Sequence, residues 1–327
     1  MARKTGEFER IARILAPLAR DFPGAYGLTD DAAVITTEPR CDLVVTTDTI
    51  VAGVHYTGDE APSAVARKLL RVNLSDLAAM GATPLAYTLN LALPSDIDDA
   101  WLEDFADGLR RDQHEFGIDL AGGDSVSTPG AVTLTLTAFG RVRRGRALLR
   151  SGARPGDIVH VSGTIGDAAF GLLVAKDALG GLDEADRSAL VRRYRLPEPR
   201  IALGAGLVGL ASAAIDVSDG LVADLGHIAE TSQCGAVVEA ARVPRSGAAR
   251  RVLQERADLL EAGLAGGDDY ELLITAPAAA GADIASLADE LSIPVTAIGR
   301  IVEEPGIRII DADGRRLSLR SRGWAHG

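Results

Sequence analysis

Five short stretches place oxygen-bearing side chains where apolar segments end. "LTDDAAVI" carries Asp30 and Asp31, "VVTTDTI" carries Thr46, Thr47 and Asp48, "AGGDS" carries Asp124, and "IDVSDG" carries Asp216, Ser218 and Asp219. "VNLSDLAAMGA" adds Asp76 on an expected helix. Carboxylates and hydroxyls are hard ligands of the kind Mg2+ takes, its shell completed by water and phosphate oxygens. Taken singly, each stretch reads first as a turn or a helix cap, where Asp and Ser are favoured, and Asp219 before Gly220 has the form of an N-cap. Taken together they point to convergence, and converging acids require cations. Two such charges ~4 Å apart repel by roughly 4 kcal/mol at an effective dielectric near ~20.

The natural partner of such a cluster is a polyphosphate, held through bridging cations or selected basic groups. A formal charge of −12 argues against nucleic acid, which favours basic faces. The sequence contains no Gly-Lys dipeptide, so P-loop chemistry is excluded. "GAGLVG" (204–209) matches G-x-G-x-x-G but lies in an apolar helical stretch, and reads as helix packing. "DADG" (311–314) reads as a hairpin turn. His55, just after "TTDT", is either a substrate contact or an ordinary surface histidine. Cys41 and Cys234 offer neither a disulfide nor a zinc framework, and no serine sits in a G-x-S-x-G elbow. No secretory h-region is visible, and the uncharged stretch from Ile201 to Ile215 is too short to span a bilayer. The expectation is a soluble, cytoplasmic protein without membrane contact.

Helical periodicity over 7–20 sets Phe8, Ile11, Ile14, Leu15 and Leu18 on one face. Strands are expected at 32–36, 42–47, 86–93 and 131–142, with helices from Pro62 to Met80 and over 98–116. Six arginines between 141 and 154 interrupt this otherwise acidic chain, and the domain boundary is placed there, giving residues 1–145 and 146–327. The second half repeats the mixture, with strands at 157–162, 213–217, 235–239, 270–275 and 294–302 and a helix over 219–232. The fold class is α/β or α+β.

In this order, "GEFERIARIL", "TDDAAVI", "TTDTIVAGVH", "VNLSDLAAMGATP", "LAGGD", "GRALLRSGARPGD", "AIDVSDGLVADLGHIA" and "GGDDYELLIT" resemble the thiamine-monophosphate kinase family. That family lies in the superfamily of aminoimidazole-ribotide synthetase, selenophosphate synthetase and the hydrogenase-maturation ATPases. The resemblance implies a two-domain, aminoimidazole-ribotide-synthetase-like fold, a homodimer paired through N-terminal domains, and Mg2+-dependent phosphorylation of thiamine monophosphate by ATP. It implies magnesium ligands at Asp31, Thr46, Thr47, Asp48, Asp76, Asp124, Asp216 and Asp219. Gly123, Asp124, Arg150 and Ser218 would contact ATP, and His55, Asp268 and Trp324 the substrate. No residue is expected to act as a general base. Thr29, Val54 and the stretch "GGDSVSTPG", which lacks an arginine common in the family, depart from the pattern and leave the acids intact. Three other readings remain: another ATP-using enzyme of the superfamily, a metal-dependent phosphohydrolase, and a non-catalytic nucleotide or magnesium sensor.

Overall fold

The structure, a computed structural model, describes residues 6–30, 32–319 and 323. Asp31 and Trp324 therefore lie outside the described residues. The chain forms two compact units, Met1–Leu77 with Thr83–Gly145, and Ala78–Ala82 with Arg146–Gly327.

The first unit opens with α1 (Glu7–Arg10), a π-helical turn (Ile11–Leu15) and a 3-10 turn (Ala16–Ala19) containing Pro17. The helical period was legible there, and Ile14, Leu15 and Leu18 are buried; the proline is incompatible with one continuous α-helix, since it removes a hydrogen-bond donor. Four strands follow: β1 (Cys41–Val51), β2 (Thr83–Leu93), β3 (Asp119–Ser127) and β4 (Thr133–Arg143), in the spatial order β1-β4-β2-β3. The strand expected at 32–36 does not form; Val34 is exposed and its N–H is bonded to Gly24 O instead. β4 buries every second residue, Leu134, Leu136, Ala138 and Val142, as a sheet covered on one face must. Two helices, α2 (Pro62–Ala79) and α3 (Asp99–Phe116, capped by Asp98), supply the apolar cover with Leu69, Leu70, Leu74, Phe105 and Leu109. They are joined to each other by fully buried Asp112, which accepts from Arg67 Nε at 2.7 Å and Arg71 Nε at 2.6 Å. The opposite face of the sheet leaves Leu43, Val45 and Val126 exposed.

The second unit holds a seven-stranded mixed sheet in the order β11-β10-β7-β9-β5-β8-β6. Its strands are β5 (Ile158–Ser162), β6 (Ala213–Asp216), β7 (Gly235–Glu239), β8 (Leu272–Ala276), β9 (Val295–Val302), β10 (Gly306–Ile310) and β11 (Arg316–Leu317). The helices are α4 (Asp167–Ala175), α5 (Glu184–Arg195), α6 (Ile201–Leu207), α7 (Leu221–Thr231), α8 (Gly247–Glu255), α9 (Leu260–Ala265) and α10 (Gly281–Leu291). Leu221, Leu225 and Ile228 of α7 pack into one core with Val159, Ile215, Val238 and Ile298 of the sheet. The glycines of "GAGLVG" serve helix packing: a Cβ at Gly204 would lie 2.0 Å from Ala78 O. "DADG" turns between β10 and β11, with Asp311 accepting from the Asp313 and Arg315 amides.

Candidate functional site

In the first unit the sheet and α2 bring Thr46, Asp48 and Asp76 together. Strand alternation turns Thr46 and Asp48 to the same face, and α2 lays Asp76 against it. Thr46 Oγ1 donates to Asp76 Oδ2 at 2.5 Å. Burial, and then the charge of Asp76, push Asp48 up to about 7. Two carboxylates and a hydroxyl, half-withdrawn from water and mutually repelling, fit a hard divalent cation, which would restore both acids to their charged forms.

The same alternation separates Thr47 from its neighbours. Its hydroxyl donates to Leu136 O at 3.1 Å and accepts from Thr137 at 3.0 Å on the sheet's other face. Three successive strand residues cannot aim three side chains at one point, so only the Thr47 main chain remains on the side of Thr46 and Asp48. The "TTDT" and "GGD" stretches are also not turns, since both run inside strands, β1 and β3. Asp124 lies on β3, the opposite edge of the sheet from β1, and pairs in register with Asn90 of β2. Its carboxylate accepts from Ser125 N at 2.8 Å. Gly123 is required by contact: a Cβ there would lie 1.9 Å from Leu89 O.

Beyond β1 the chain makes a tight turn closed by His55. The His55 N–H donates to Val51 O at 3.0 Å, and His55 Nδ1 accepts from Val51 N–H at 3.1 Å. With Nδ1 committed as an acceptor, the neutral ring carries its proton on Nε2 and is a donor there.

In the second unit Asp216 ends β6 almost fully buried, and Val217, Ser218 and Asp219 lead into α7. Asp219 is not the N-cap; that position is Gly220, at φ +122°, which has no side chain to cap with. The capping is done by Asp224, absent from the sequence expectations. Its Oδ2 accepts from Asp219 N at 3.1 Å and Gly220 N at 3.0 Å. Burial, then the Asp219 charge, raise Asp224 to about 7, against the opposing pull of these N–H groups and of Arg150. Arg150 thus stands near the Asp219–Asp224 turn, with its carbonyl accepting from Thr231 Oγ1 and Ser232 Oγ. Asp219, Asp224 and His227 bring ligand atoms within 4.8 Å of one another. An acid in the first turn of a helix was the available signal for Asp224.

The "GGDDYEL" stretch lies beside this turn, with Asp268 N–H bonded to Ser218 O at 2.9 Å and Tyr270 N–H to Val217 O at 2.8 Å. Glu271, expected in no role, is buried and accepts from Arg193, Arg200 and Ser162. Gly323 also reaches the turn: a Cβ there would lie 2.9 Å from Asp219 O. Among the described residues no helix is long and apolar enough to cross a membrane.

Residues 29–142 match the model of the AIR synthase related protein N-terminal domain, and residues 154–312 that of the corresponding C-terminal domain. The thiamine-monophosphate kinase of Caulobacter vibrioides is 44% identical over 324 residues, covering 98% of this chain and 91% of that one. A crystal structure of thiamine-monophosphate kinase from Stenotrophomonas maltophilia superposes with a TM-score of 0.85 at 42% identity, covering 97% of this chain and 99% of that one. A structure of AaThiL complexed with AMPPCP and TMP superposes at 0.78 with 30% identity, over 98% and 97% of the two chains. Built on the two AIR-synthase-related domains and matched over nearly its whole length, this chain belongs to the thiamine-monophosphate kinase family.

Proposed function

We infer that the protein transfers the γ-phosphoryl group of ATP to thiamine monophosphate, forming thiamine diphosphate. The observation that carries this reading is the Thr46–Asp48–Asp76 cluster, in a chain matched end to end by kinases of this kind. The acceptor oxygen belongs to a phosphate monoester and is already anionic near neutral pH, so the chain needs no general base. Its task is to align two polyanions that repel each other. Mg2+, when bound, supplies charge neutralisation between them and at the leaving ADP.

The roles fall on side chains by their chemistry. Thr46, Asp48 and Asp76 hold cation on one edge of the first sheet, and Asp124 does so on the other. Thr47 contributes through its carbonyl, and Asp31, which follows Asp30, completes the set of acids. Asp216 and Asp219 hold cation in the second unit, while Ser218, Gly123 and Arg150 contact ATP. The Nε2–H of His55 donates to the substrate phosphate without moving a proton. Asp268 faces the thiazolium cation and Trp324 a ring of the substrate, by charge and by a π face.

We further propose a cytoplasmic homodimer. Asp48 and Asp124 occupy opposite edge strands, three strand spacings or roughly 14 Å apart in a flat sheet. Register sets them on opposite faces, Asp48 beside Leu136 and Asp124 beside Asn90, so a second copy packed on the open face that carries Asp124 would cover Leu43, Val45 and Val126.

The deciding assay supplies ATP and thiamine monophosphate with and without Mg2+, and ATP alone. Thiamine diphosphate should form only in the complete mixture. Release of free phosphate from ATP alone at the same rate would identify a hydrolase, and ATP binding without any conversion would identify a sensor.

A further inference from the structure

"GGDDYEL" contains a second acid, Asp269, with no part in the roles above. It is 1% exposed, and both of its oxygens are engaged. Oδ2 accepts from Gly166 N at 2.6 Å and Oδ1 from Ala168 N at 3.1 Å, where α4 begins. Its two chain neighbours are left-handed, Asp268 at φ +70° and Tyr270 at φ +50°. Side chains other than glycine's are strained in that region, and an aromatic one more than Asp. Such residues persist where their surroundings over-determine them, and they gather at ligand sites.

Here the surroundings act from two sides. The Asp268 and Tyr270 amides are bonded to Ser218 O and Val217 O. Gly267 is pressed so closely that a Cβ would lie 2.2 Å from Ser218 O. On the other side Asp269 ties the same four residues to α4. A helix start is ordinarily capped by a residue at its own N-cap position. In this case the acceptor comes from 103 positions away, out of the strained loop itself. An ordinary cap would finish α4 without fixing anything beyond it.

We propose that Asp269 is a positioning residue for substrate recognition: it anchors loop 267–270 so that left-handed Asp268 is presented beside the Ser218–Asp219 turn. The proposal rests on the reading of Asp268 as the contact for the thiamine cation. It assigns the loop to the thiamine end of the reaction and leaves ATP affinity to other residues.

The test compares Asp269→Asn and Gly267→Ala with the unsubstituted protein. An amide at 269 keeps the shape but turns a donor toward one of two N–H groups, and a methyl at 267 pushes the loop from the opposite side. In Asp269→Asn KM for thiamine monophosphate should rise about tenfold or more while KM for ATP stays within roughly twofold; Gly267→Ala, whose methyl meets Ser218 O, should raise KM for thiamine monophosphate by a like factor. Amide hydrogen exchange at Asp268 and Tyr270 should quicken about tenfold. Asp186→Asn, which breaks the Asp186–Arg251 ion pair between α5 and α8 of the same unit, is the control. It should lower Tm and leave both KM values alone. A folded Asp269→Asn whose KM values are unchanged, or rise equally for both substrates, overturns the proposal, as does a folded Gly267→Ala with unchanged KM for thiamine monophosphate. So does loop-rate exchange of the Asp268 and Tyr270 amides in the unsubstituted protein, which needs no variant. If the unsubstituted protein makes no thiamine diphosphate, the substrate reading fails instead, and the exchange rates still decide whether Asp269 anchors the loop.

Discussion

Thr46 on β1 donates to Asp76 on α2 across 2.5 Å, and Asp48, two residues further along the strand, feels the same carboxylate. The hydroxyl serves one acid, and the second, buried and bonded to the first, is held toward its protonated form. That imbalance makes the cluster sensitive to cations and to pH.

Burial and the Asp76 charge hold Asp48 near about 7 in the folded chain, whereas an unfolded aspartate titrates near ~4. Between those values the folded state binds more protons, so stability falls as pH rises through the window and levels off above it. Without divalent ions, Tm should therefore decline from pH 4.5 to pH 7, on the order of a few degrees. Saturating Mg2+ should flatten the decline, raising Tm at pH 8 and hardly at pH 5. Thermal scans across pH with Mg2+ or EDTA check this, and identical curves in both would refute a cation site there.

Asp48→Asn removes one of two repelling acids. The unloaded protein should be at least as stable as the parent at pH 8, while thiamine diphosphate formation falls by roughly 100-fold or more. Paired melting curves and turnover assays distinguish this from a variant that merely unfolds.

Thr46→Val and Thr47→Val are chemically the same change on opposite faces of one strand. The first should lower kcat/KM by about 10- to 100-fold, since it strips a hydroxyl bonded to Asp76. The second loses only bonds to Leu136 O and Thr137 and should stay within roughly threefold. Equal losses would place the Thr47 side chain in the reaction.

Arg71 and Asp112 form a pair withdrawn from water between α2 and α3. Arg71→Ala leaves Asp112 to Arg67 alone and should cost about 3–5 kcal/mol, because a buried charge loses its closest partner. Urea denaturation measures it; a change below ~1 kcal/mol would mean that water replaces the guanidinium.

Leu43→Asp with Val45→Asp places two charges on the bare face of the first sheet. Light scattering should find the parent as a dimer and this variant as a monomer with little activity. A parent that is monomeric and fully active would rule out pairing through this face.

Much of this was legible in the residues because local patterns carried it. The period of α3 and its Asp98 cap, the alternation in β4 and the Asp311–Gly314 turn are each set within a few positions. Segments whose order depends on distant partners were not. Residues 32–36 have strand-like composition, yet no ladder forms there. β3 was hidden because its glycines read as a turn, and Gly123 is explained only by Leu89, which the sheet brings against it. The site divides in the same way. The types and order of Thr46, Asp48 and Asp76 were visible, as was the Asp268 motif. The strand alternation that sends Thr47 the other way could have been applied once 42–47 was read as extended. Asp269 escaped because its work is to accept main-chain N–H groups of a helix far away in sequence, which no side-chain pattern advertises, whereas Asp224 offered only the weak signal of an acid in a helix's first turn.

The alternation of β1 also makes counting part of the chemistry. One residue inserted or deleted within the strand ahead of Thr46 would roll Asp48 to the far side and bring a threonine into its place, leaving composition nearly untouched. Indels in this strand should thus be far more damaging than most substitutions, whereas the loop beyond His55 has no such parity to keep.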